Sequence, residues 1–216
     1  MKFLHAARRS LQSFALSLLL AGCAGVAVDR DIAPAQLSDK AVIVLSVSHD
    51  DGARSAANAI FYMDGQSLGD LVVMQTQPQM VLRNDFKGRH GRLFILEVTP
   101  GHHRIVGWQV VSAGFRITPA QKPVPLEFDV DKGDVVYLGN LHAQLVLGHK
   151  TLFGGRAAND ARIVVADRSD EDIPLAEAQT PALKLHMRTA LLPQGPWGES
   201  ETKQVFDVPL PVIPVK

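Results

Sequence analysis

The sequence predicts an all-β fold, an antiparallel sandwich or barrel, and three observations carry that prediction. Between Ala41 and Ala166 the apolar residues fall into eight or nine short runs rich in Val and Ile, the side chains that suit a pleated, half-buried surface. Glycine, proline and aspartate punctuate the runs, as in Asp64-Gly65, Pro100-Gly101 and Asp131-Lys132-Gly133-Asp134, which are turn formers for distinct conformational reasons. Finally, Val124, Leu126, Phe128 and Val130 alternate with Glu127, Asp129 and Asp131, the period of a strand with one buried and one wet face.

The elements follow in order. Ala41-Val42-Ile43-Val44-Leu45-Ser46-Val47 is long and β-branched enough for one buried strand. Ala59-Ile60-Phe61-Tyr62-Met63 and Leu71-Val72-Val73-Met74 lie on either side of the Asp64-Gly65 pair. Arg92 to Val98 ends at Thr99-Pro100-Gly101-His102. There proline fixes the first central φ of a type II turn and glycine accepts a positive φ at the second, so His103 to Val111 is expected to return as the second arm of a hairpin. Beyond the alternating segment, Val135 to Gly139 reads as a strand covered on both faces, and Leu141–Leu147 and Ala161–Ala166 add two more. One or two short helices are expected near the C-terminus. Asp172 can cap one through Ala178, with Pro174 tolerated in its first turn, and Thr180-Pro181 can open another. Leu183 to Leu191 also alternates like a strand, and both readings stand. Residues 193–216 contain five prolines and read as an extended tail, an edge strand at most, because proline cannot donate to a sheet ladder.

Length and composition bound the function. The 216 residues include 22 Lys plus Arg and 22 Asp plus Glu, with 46% hydrophobic and 20% charged residues, ordinary values for one globular domain. Nucleic acid is not an expected partner, since gripping a phosphate backbone takes an excess of basic residues. A single cysteine, Cys23, leaves no intramolecular disulfide and no multi-thiolate metal site.

The N-terminus has the three parts of an export signal. Lys2, Arg8 and Arg9 form a basic start, Ser10 to Leu20 is mostly apolar, and Leu20-Ala21-Gly22-Cys23 follows. That apolar stretch is well short of the roughly 20 residues a membrane-spanning helix needs, and its flanks are those of a secretory signal. Leu20-Ala21-Gly22-Cys23 resembles the lipobox of bacterial lipoproteins. The resemblance implies cleavage between Gly22 and Cys23, with acylation of the Cys23 thiol and of the new amino terminus, so that acyl chains hold the protein to the membrane. Residue 24 is Ala and not Asp, which by the same resemblance favours the outer membrane with the body facing the periplasm. Loss of residues 1–22 removes three basic and no acidic residues, leaving the remainder at net −3, so the attachment is expected to come from the lipid and not from basic charge. The expected organisation is a signal peptide over 1–22, an acylated tether over 23–40, a β-sandwich over 41–192 and the Pro-rich tail over 193–216.

From Arg92 to Asn140 the order of apolar strand, Pro-Gly turn, strand, alternating strand, Gly turn and Val-Val-Tyr-Leu-Gly-Asn is similar to that of uncharacterised bacterial lipoproteins with a small periplasmic β-sandwich. This implies an immunoglobulin-like or transthyretin-like sandwich and carries no catalytic residue. Candidate chemistry is correspondingly thin. His49, His90, His102, His103, His142, His149 and His186 show no zinc-ligand spacing and are expected at the surface, with no metal and no cofactor. There is no Gly-x-Ser-x-Gly elbow and no His-Glu-x-x-His, and Asp50/Asp51 and Glu171/Asp172 read as loop charges. Trp197, in Gly195-Pro196-Trp197-Gly198, is expected to be partly exposed and able to stack on a sugar ring, while Trp108 reads as core. The expectation is a non-enzymatic envelope lipoprotein that interacts with or scaffolds an envelope protein. The alternatives are a glycan- or peptidoglycan-binding module and, further off, a metal-dependent hydrolase.

Overall fold

The strand that begins at Ala41 organises the molecule. In the computed structural model, which describes residues 26–50, 57–65, 71–77, 84–150, 156–198 and 201–206, β2 (Ala41–Asp50) is buried along almost its whole length. It runs between β5 (Arg89–Val98), antiparallel, and β9 (Val135–Lys150), parallel. This first sheet has seven strands. β1 (Val26–Ala27) lies beyond β5, β10 (Arg156–Ala166) and β12 (Gly195–Pro196) lie beyond β9, and β11 (Met187–Thr189) pairs with the start of β9. The second sheet has six: β13 (Thr202–Phe206), β7 (Phe115–Pro119), β6 (Gly101–Ser112), β3 (Ala57–Asp64) and β4 (Leu71–Gln75) in that order, with β8 (Leu126–Val130) also on β6. The protein is an all-β sandwich. Its core joins Ile43, Leu45 and Val47 of the first sheet to Phe61, Met63, Ile105, Trp108 and Val110 of the second.

A third layer covers the other face of the first sheet. It consists of α1 (Pro34–Leu37), α2 (Ser169–Gln179) and a 3₁₀ turn (Pro181–Leu185). Leu37, Ala176 and Leu183 pack there against Val42, Val44, Leu93, Ile95, Val135 and Tyr137. This layer explains why β2 and the start of β9 carry unbroken apolar runs, the mark of strands covered on both sides.

Several expectations change. Arg92–Val98 and His103–Val111 are not the arms of a hairpin. β5 pairs with β2 and β1, whereas β6 pairs with β3, β7 and β8. The Pro-Gly turn, with Gly101 at φ +131°, carries the chain across from one sheet to the other. Both strands bury an apolar face toward the same core, and β5 forms its ladder with β2 over a ten-residue register instead. The sheets are not wholly antiparallel, since β2 and β11 both run parallel to β9. Val135–Gly139 and Leu141–Leu147 are one bent strand. Val124 is 81% exposed and precedes its strand, which starts at Leu126.

The expected tether of residues 24–40 is part of the fold from Val26 onward. β1 adds to β5, Val28 N–H donates to Ile95 O at 3.1 Å, and the Leu37 side chain is fully buried. Asp172 lies inside α2 and does not cap it. Thr180 does precede the 3₁₀ turn, and the ambiguous stretch after it divides into that turn and the short strand β11. The tail supplies β12 and β13, each at the edge of a sheet, as its prolines require.

Candidate functional site

On the outer face of the first sheet the side chains change character halfway along β2. Val42 and Val44 face the helices, and the next residues on the same face are Ser46, Ser48 and Asp50. A strand alternates faces with period two, so this is one continuous stripe whose second half is polar. β9 follows suit through a bulge. Val44 pairs with Tyr137 and Leu45 with Gly139, so one extra residue enters β9. Gly139 takes φ +107°, and a Cβ there would sit 3.0 Å from Ala166 O. Before the bulge Val135 and Tyr137 face outward; after it, Asn140 and His142 do.

These residues close a buried network around Asp172, which is wholly buried on α2. Its Oδ2 accepts from Ser46 Oγ at 2.5 Å and Tyr137 OH at 2.8 Å, and its Oδ1 accepts from Arg89 Nη2 at 2.9 Å. Arg89 Nη1 reaches Glu171 Oε2 at 2.6 Å. Asn140 Nδ2 donates to Ser46 Oγ at 2.7 Å and Ser48 Oγ at 3.1 Å. Ser48 Oγ lies 2.9 Å from His142 Nδ1, His142 Nε2 lies 3.0 Å from Asp50 Oδ1, and Asp50 Oδ2 accepts from Leu145 N–H at 2.9 Å. With the His142 proton on Nε2, the run from Asn140 through Ser48 and His142 to Asp50 has an acceptor for each donor, while the buried Arg89 Nε has none.

Burial sets the electrostatics. It pushes the Asp172 carboxyl above the usual carboxylate range, against the pull of Ser46, Tyr137 and Arg89. It raises the Tyr137 hydroxyl far above its ordinary value, helped by the charge of Asp172. It lowers His142 despite the Asp50 carboxylate, and lowers His49 on the opposite face of β2. His142 is therefore a neutral imidazole near pH 7.

Ser48, His142 and Asp50 stand in the order of a nucleophile, a base and an orienting acid. The surroundings do not suit attack on a substrate. Ser48 is fully buried and its Oγ is already bound by Asn140, and it borders neither the surface groove beside β1, nor that beside Leu185, nor that beside Trp197. The wider network instead locks α2 onto the sheet, through the bonds of Ser46, Tyr137 and Arg89 to Asp172 and Glu171.

Gly22 and Cys23 lie outside the described residues, as does Asp51. Trp197 is not a free platform. It is only 5% exposed, and its Nε1 donates to Val124 O at 2.7 Å. The groove beside it, about 240 Å³, is smaller than the roughly 300–1,000 Å³ of ordinary ligand sites. Trp108 is core. The expected surface placement of the histidines fails for His49 and His103, which are buried, and for His142, which is mostly so. Their strands place them between layers, and sequence spacing does not show which faces a second layer will cover. His102 and His149 are exposed. Among the described residues no three His, Cys, Asp or Glu converge as metal ligands. Glu171 and Asp172 are on a helix and not in a loop. Arg89, Ser46, Tyr137, Asn140 and Asp172 went unremarked as a group. The available signal was the recurrence of serine at alternate positions inside an apolar run.

Comparisons with family models, with curated proteins and with solved structures find no match. What is defined is therefore a class: a β-sandwich with a helical layer pinned to one face by a buried polar network.

Proposed function

We propose that the chain is a lipid-anchored envelope protein, acylated on Cys23 and held at the outer membrane with its sandwich in the periplasm. Its body is a non-enzymatic module for protein interaction or scaffolding. The observation that carries this reading is Leu20-Ala21-Gly22-Cys23 behind a basic and then apolar start, with the chain's one cysteine at that position. Two features of the fold support it. The strand β1 at Val26–Ala27 lies three positions after Cys23 in the sequence, as suits a domain carried close to its anchor. The polar network is consumed internally, with each side chain bonded to another part of the same fold.

Metabolic labelling with a fatty-acid analogue tests the proposal. The wild type is expected to take up label and to yield a mature polypeptide starting at Cys23 by mass spectrometry. Equal label in wild type and Cys23→Ala, or an N-terminus elsewhere, would refute it.

A further inference from the structure

We infer that the edge of the sandwich beside the N-terminal strand rests on the lipid bilayer and turns its exposed apolar side chains into the membrane interface. The inference depends on the anchoring at Cys23 proposed above and adds the surface that the anchor brings down. Chain length is the first argument. Only Ala24 and Gly25 separate Cys23 from Val26, and over three steps of no more than about 3.6 Å the two Cα atoms lie within about 11 Å of each other. An acylated Cys23 sits where the acyl chains enter the bilayer, so β1 is held next to the headgroups and the rest of the domain must orient around that point.

The surface around β1 is the second argument. A groove of about 410 Å³ opens between β1 and β5 on one sheet and β4 on the other, with Ala27 and Val28 in its wall. Leu71 and Val73, on one face of β4, border it and are 47% and 48% exposed. A second groove, about 380 Å³, shares Arg30 with the first and contains Leu185, which is 79% exposed. Three of the seven large exposed apolar residues among those described thus lie beside residues 27–34. Arg30, which is exposed in the wall of the first groove, can extend its charged end to lipid phosphates while its stem stays on apolar surface. Asp31 borders the second groove, so charge there is mixed and apolar contact is what draws the edge down.

The test uses the full acylated chain. With Cys23 occupied by lipid, an introduced cysteine is the only free thiol. Leu71→Cys, Leu185→Cys and Val205→Cys, the last on β13 at the opposite edge of its sheet, are each labelled with an environment-sensitive fluorophore. The labelled proteins are reconstituted in phosphatidylethanolamine–phosphatidylglycerol vesicles containing nitroxide-bearing lipid. The expected result is blue-shifted, lipid-quenched emission at 71 and 185, with emission at 205 unshifted and unquenched. Equal behaviour at all three positions overturns the inference. A blue shift at 71 without quenching also overturns it, because the groove would then hold the protein's own acyl chain. Flotation of the wild type but not of Cys23→Ala with the vesicles, measured alongside, separates the two claims. If flotation is independent of Cys23, the anchor itself fails and this inference falls with it.

Discussion

The outer face of the first sheet has two halves that solve the same burial problem differently. At one end Val42, Val44, Leu93, Ile95 and Val135 lie under Leu37, Ala176 and Leu183. At the other, Ser46, Tyr137 and Arg89 bond Asp172, and Asn140, Ser48 and His142 carry the network on from Ser46. The apolar half is held by removal of area from water, which is roughly proportional to surface and indifferent to direction. The polar half is stable only while every donor and acceptor is matched, since an unmatched buried group bears its full desolvation cost. The apolar end therefore tolerates small changes of shape, while each pairing lost at the polar end carries a desolvation cost. The polar end is also what fixes the position of α2 along the sheet.

The largest expected effect comes from unbalancing the polar half. Asp172→Ala leaves Arg89 buried and without its main carboxylate, and should cost about 3–5 kcal/mol in denaturant unfolding. The double variant Asp172→Leu with Arg89→Met sharpens the contrast, because removing both charges together is often close to neutral. Its unfolding midpoint should recover part of the way toward wild type, the remaining loss coming from Ser46 and Tyr137, which no longer have the carboxylate to donate to. If it is as unstable as Asp172→Ala, the rest of the network and not the charge pair dominates.

Next in size is the apolar half. Leu37→Ala should cost about 2–4 kcal/mol, measured by the same unfolding curve. A cost near zero would show that the N-terminal segment does not contribute to the fold. Smaller again is the pH response. His142 and His49 have pKa values held below the ordinary 6.5 by burial, so they favour the folded state fully above that value. Their contribution is lost as the pH falls toward the folded-state pKa. The groups acting on His142 are Asp50, which favours its charge, and Arg168 and Arg89, which oppose it. The unfolding midpoint should drop between pH 7 and pH 5, and His142→Asn should flatten that drop even if it lowers stability throughout. The smallest effect is expected away from both halves. Lys132→Ala removes an exposed ion pair with Asp39 at 2.8 Å and should leave the unfolding midpoint almost unchanged, because solvent screens such a pair.

Much of the fold was legible because strand periodicity is a local property. The runs at Ala41, Ala59, Leu71, Arg92, Val135 and Ala161 all became strands. What could not be read was which strand pairs with which. The Pro-Gly turn at 100–101 looks the same whether it closes a hairpin or passes between sheets, and the partner that decides the matter, β2, lies some fifty residues away. β7 was missed because Phe115-Arg116-Ile117-Thr118-Pro119 is short and ends in proline. The candidate network was still less visible. Ser46, Arg89, Asn140 and Asp172 are common residues from four separate elements, and only the tertiary fold brings them together. His142 escaped because the Gly139 bulge changes the phase of its strand, a slip that no alternation rule foresees.

The parallel pairing of β2 with β9 has a consequence for how the chain is made. Val42 must wait for Val135, 93 positions later in the sequence. At ribosomal speeds of about 5–20 residues per second that delay is roughly 5–20 s. During this time the most apolar stretch of the future interior has no mate on that side, and long-range closure of this kind is intrinsically slow. Under the export proposed above, such a timetable would keep the polypeptide unstructured while it is threaded across a membrane.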